Sequence, residues 1–115
     1  MATTHKMLAF GQFGTSVGSG VTGNILTPSS SNIALIKTVL IHNTNTTPEV
    51  VEIYHNGHGD SDRVLRVTVA KDETFEWALS HMVVVDGTAT PAGTWKAKAD
   101  TGSKVNYFIF GAEES

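Results

Sequence analysis

The sequence predicts an all-β protein, an antiparallel β-sandwich or jelly-roll-like fold with an extended N-terminal arm. Two observations point there. Segment after segment alternates apolar and polar residues with period two, at spacings of roughly 8 to 12 residues. Between the segments lie turn formers (Gly, Asn, Asp, Ser), and no convincing helical pattern intervenes. A third observation sets the scale: 115 residues with 40% hydrophobic content, 11 Gly and 3 Pro suit one globular domain with one core.

The chain is organised around Ile33 to Asn43 (Ile-Ala-Leu-Ile-Lys-Thr-Val-Leu-Ile-His-Asn), whose β-branched and aliphatic density predicts a mid-sheet strand covered on both faces. Thr27 to Asn32 and Asn43 to Pro48 bound it, because short polar side chains bond their own backbone and compete with regular structure. Before it, residues 1–24 read as a Gly/Ser/Thr-rich N-terminal arm, and residues 25–115 as the sandwich domain. Gly11, Gly14, Gly18, Gly20 and Gly23 raise the entropic cost of ordering this segment, so a partner is expected to order it. Met7, Leu8, Phe10 and Phe13 are its apolar anchors, and adding strands to a neighbour's sheet edge is one way to bury them. The competing reading makes the same residues an edge strand of the home sandwich.

After the organising strand, Glu49 to His55 puts Val51 and Ile53 on the core face, with Glu52 and Tyr54 opposite. Tyr54, off the core face, is the remaining candidate for partner binding. Asn56 to Asp62 is a polar loop, and Arg63 to Val69 returns with Leu65, Val67 and Val69 inward. Thr74 to Leu79 alternates around Phe75 and Trp77, and His81 to Val85 is a short apolar run closed by the Asp86-Gly87 turn. Thr94 to Ala99 follows with Trp95 inward, so that Trp77 and Trp95 fill the middle. Lys104 to Phe110 closes the domain with aromatic residues on both faces, which predicts cover on both sides.

The same inventory bounds function. Zero Cys removes disulfides, thiolate nucleophiles and sulfur-ligated zinc. A net charge of -3 with eight scattered Lys and Arg offers no basic face for nucleic acid. The N-terminus lacks a basic stretch followed by a long apolar run, so no membrane insertion and assembly in the cytoplasm are expected. Asn56, His58, Asp60 and Asp62 alternate somewhat as in a calcium loop, but its bidentate Glu position falls on Val67, and His55 and His58 with the two Asp lack a framework for zinc, so no metal or cofactor is expected. No Gly-x-Ser-x-Gly elbow occurs, and neither His42 nor His81 stands in a general-base context; catalysis is not expected.

From Ile25 to Glu113 the chain resembles a group of short virion proteins of tailed bacteriophages. The likeness rests on Ile36 to Thr44, an apolar strand ending in Asn-Thr, and on Val51-Glu52-Ile53-Tyr54. It extends to Val84-Val85-Asp86-Gly87, to Lys96-Ala97-Lys98-Ala99, and to the closing Asn106 to Glu113 with its Gly-x-Glu. The resemblance implies a β-sandwich that decorates or cements the outside of the phage head, binds the major capsid protein and forms a homo-oligomer, a trimer. It would place the protein on the virion surface after assembly in the host cytoplasm. A tail or fibre component and a lectin-like carbohydrate-binding domain are the alternatives.

Overall fold

A computed structural model describes residues 2–115. It contains eight strands: β1 (Thr3–Gln12), β2 (Asn24–Leu26), β3 (Ile33–Asn43), β4 (Glu49–His55), β5 (Arg63–Val69), β6 (Thr74–Asp86), β7 (Trp95–Ala99) and β8 (Val105–Glu114). They form two four-stranded antiparallel sheets, a large one in the order β1-β8-β3-β6 and a small one in the order β2-β7-β4-β5. β1 pairs with β8, β2 with β7, β3 with β6 and β4 with β5, so the chain is one long ribbon folded at the β4–β5 hairpin and rolled into two layers. That is jelly-roll connectivity.

The core lies between the sheets. Ile36, Val39, Ile41, Val105, Tyr107 and Ile109 face it from the large sheet, and Val51, Ile53, Trp95, Ala97 and Ala99 from the small one. Trp77 stacks on Trp95 with ring centroids 6.0 Å apart and planes 12° from parallel, joining the two sheets. Trp95 is buried, and its indole N–H donates to His55 Nδ1 at 2.9 Å. Indole can only donate, so this His nitrogen is an acceptor.

Two buried polar side chains fix the turns at one end. Asn43, the last residue of β3, donates to Thr47 O and Val69 O at 2.9 and 3.0 Å and accepts from Asn45 N at 2.8 Å. Glu49 accepts from Thr101 N and Oγ1 and from Asn45 Nδ2, at 2.8, 2.9 and 3.0 Å. Each orders loops that supply little apolar cover of their own.

The N-terminal arm is the main correction. Residues 3–12 are β1, hydrogen-bonded along the free side of β8 from Thr3↔Glu114 to Gln12↔Asn106, so they complete the home sheet. Phe13 follows into the core, 1% exposed, with its ring 5.0 Å from that of Tyr107. The physical reason is that β8 offers a full-length row of backbone partners within the same chain, and the short β2 brings the next segment across the sandwich. Residues 14–23 are held too: Lys96 Nζ, buried beneath them, donates to Gly20 O, Thr22 O and Asn24 Oδ1 at 2.6, 3.2 and 2.6 Å. A boundary at 24 and 25 therefore divides one folded unit.

Two further expectations change. Thr74 to Val85 is a single long strand rather than two, interrupted where Leu79–Met82 pass beside Lys37 without regular pairing. β3 sits mid-sheet as expected, but only one of its faces is covered.

Candidate interaction surface

The register of the large sheet places its outward side chains. β1 presents His5, Met7 and Phe10; β8 presents Phe108, Phe110 and Ala112, paired with Phe10, Met7 and His5. β3 adds Leu35, Thr38 and Leu40, opposite Ala112, Phe110 and Phe108, while β6 adds Glu76, Ala78 and Val84. None of these belongs to the core cluster or packs against it. The result is an apolar surface across all four strands, on which Leu35, Leu40 and Phe108 are half-buried and Ala112 is covered by its neighbours. Phe10 is 66% exposed, Val84 49%, Met7 43% and Phe110 36%, and Met82, in the irregular part of β6, is 52% exposed. Five of the seven large exposed hydrophobic side chains thus gather on or beside one sheet face, which singly scattered surface residues do not do.

One charge stands in the middle of this face, the exposed Lys37 at the bulge of β3, and the others lie at its margins. Glu114 and Asp86 lie at one end with His5 close by, His42 at the other end donates to or accepts from Thr74 Oγ1 at 2.8 Å, and Glu76 lies on the edge strand. Asp86 accepts from Thr88 Oγ1 and Thr88 N at 2.6 and 2.8 Å, and these bonds hold its carboxyl below the usual carboxylate range.

The outer face of the small sheet has the opposite character. Glu52 stands among Arg63, Arg66 and Lys98 at 2.5, 3.8 and 3.7 Å. Its hydrogen bond to Arg63 raises that guanidinium further above its ordinary value. Lys96, without a carboxylate partner, has its ammonium pKa lowered by burial. A polar groove of about 200 Å³ runs past Thr15, Val50, Glu52, Lys98, Ala99 and Asp100, below the size of common small-molecule sites. Among the described residues, no three His, Asp or Glu side chains converge as a metal site requires.

Of the residues singled out in the sequence, Met7 and Phe10 come together on the open face. Leu8 and Phe13 turn inward, Leu8 against the core and Phe13 into it. Tyr54 is also withdrawn, at 3% exposure: a register shift after Ile53 sets it opposite Arg63 on one side, and Lys96 is its partner on the other. The surface residues missed in the sequence are Leu35, Leu40, Phe108, Phe110 and Val84. The signal is present, since β3 and β8 are apolar on both faces, but an apolar strand face does not say which molecule covers it.

No protein-family model matches this chain, and no curated protein matches it. A solved structure, described as that of infectious bursal disease virus, Gt strain, is similar over 97% of this chain and 32% of that one. The identity is 11% and the TM-score 0.33, so this chain spans about a third of that protein and the likeness carries no inference about role.

Proposed function

We propose that this chain is a structural virion protein that works by binding, and more finely a decoration protein on the outside of a phage head that ties major capsid protein subunits together. The observation that supports this reading is the open apolar face of β1-β8-β3-β6, which suits a component of an assembly better than a free-standing domain. The strand and turn motifs shared with tailed-phage virion proteins supply the setting. With the N-terminal segment tied into the home sheet, cementing would proceed through folded surfaces and not through a reaching arm. The test is co-sedimentation of the purified chain with phage heads assembled without it. Saturable binding that protects the heads against heat or chelator is the expected result; failure to bind heads, with binding to tails instead, overturns the decoration role.

A further inference from the structure

We infer that the open face of the large sheet is a homotypic interface, occupied by the same face of a second copy of this chain about a two-fold axis. Area and the presence of a single apolar patch favour that occupant. β8 has ten residues, about 34 Å at ~3.4 Å per residue, and four strands ~4.8 Å apart span about 19 Å. The face is therefore about 650 Å² in outline, and pairing two of them covers about 1,300 Å², above the ~1,000 Å² that a specific interface needs.

The face is one continuous patch without a second apolar patch of like size elsewhere among the described residues. Val21 and Val64 are the two large exposed apolar side chains outside its neighbourhood. An isologous contact needs only such a single self-complementary patch, whereas a ring of three needs two different ones. Two sheets stacked at ~10 Å, as within the sandwich itself, would interdigitate Phe10, Phe108, Phe110, Met7 and Leu40 with their counterparts.

Charge selects the axis. A two-fold axis parallel to the strands would lay the acidic end, with Asp86 and Glu114, over its own copy. An axis in the plane of the sheet and across the strands lays that end over the His42, Asn106 and Gln12 end instead, and leaves Glu76 on the rim. The second arrangement keeps the carboxylates of each copy away from their own counterparts and the aromatic residues in register, while the exposed Lys37 of mid-β3 comes near the axis in either arrangement. It also turns the two small sheets, with their Glu52 clusters, outward on opposite sides of the pair.

Sedimentation equilibrium of the full chain up to ~200 µM tests this, a range that captures interfaces of modest affinity. The expected result is twice the 12.3 kDa chain mass. Phe10→Glu, at a side chain two-thirds exposed, should weaken association at least ~100-fold while leaving the circular dichroism unchanged. Phe110→Glu should do the same, whereas Val64→Glu on the small sheet should not change the mass. A chain that stays monomeric at 200 µM, forms a trimer, or pairs undisturbed by both Phe variants overturns the proposal. Binding to phage heads is read separately: a monomer that binds heads through this face refutes the pairing and leaves the virion role standing, and a pair that ignores heads does the reverse.

Discussion

Replacing Phe13 by Ala separates a home-domain strand from a reaching arm. In the structure the ring is 1% exposed, lies 5.0 Å from Tyr107, and is held by backbone bonds on both sides, Phe13 N to Val105 O at 2.9 Å and Ser103 N to Phe13 O at 3.2 Å. Truncating a buried Phe to Ala costs about 3–5 kcal/mol, the lost transfer energy plus the cavity left behind. A chain of 115 residues has a total stability of about 6–17 kcal/mol, so the change removes a large share. With an unfolding entropy of ~2.1 cal/mol/K per residue, the melting temperature falls by about 12–20 °C. Urea unfolding followed by Trp77 and Trp95 fluorescence measures it directly, in the Phe10→Glu background so that association does not contribute. Val21→Ala, on an exposed side chain, is the control and should stay within ~0.5 kcal/mol. A loss below ~1 kcal/mol for Phe13→Ala would place the side chain outside the core and restore the arm.

Gly111 lies where β8 crosses β3, and a Cβ there would fall on the Leu35 carbonyl oxygen; Gly111→Ala should destabilise by about 1–3 kcal/mol in the same urea assay, and a neutral result would mean the two strands are not in this register. His55→Ala leaves the buried Trp95 N–H without its acceptor, so a loss of about 1–3 kcal/mol with a shift in Trp emission is expected, and unchanged emission would count against that bond. Burial raises the pKa of Tyr107 above the ordinary phenol value, so the folded state keeps that proton longer than the unfolded state does. Stability should therefore fall as pH rises from the ordinary phenol value through the folded one. Burial of Lys96 works the other way: its lowered folded pKa makes stability rise with pH up to the ordinary amine value. In a Lys96→Met background the Tyr107 effect should stand alone between about pH 9 and 12, and adding Tyr107→Phe should abolish it; a slope that survives has another source.

Fold class was legible because alternation reports faces directly: Val51, Ile53, Leu65, Val67, Trp95 and Ile109 all point inward as their parity requires. Parity gives no information about where the chain lacks regular pairing. Composition makes Leu8 an anchor of an arm and alternation turns Tyr54 off the core face, and a register shift beside each changes its surroundings. Composition misled more broadly for residues 1–24, where Gly and Ser argue for looseness while β8 and Lys96 supply long-range partners invisible to a local reading. The interaction surface was half legible. Two-sided apolar strands at β3 and β8 announced that both faces want cover, but a sequence does not say whether the covering layer belongs to the same molecule.

Both free edges of the large sheet are broken near mid-length. On β1 the pairing slips between Met7 and Ala9, and on β6 the four residues from Leu79 to Met82 stand against Lys37 alone. A strand arriving from solution finds only a short unbroken row of donors and acceptors before the register fails, so lateral growth has no template to follow. Stacking along the sheet normal has a natural terminus as well, because each molecule owns one dry layer and its reverse side is ionic. The molecule thus couples a sticky surface to a stop signal. Light scattering should plateau with rising concentration instead of climbing, the behaviour of a closed particle and not of a fibre.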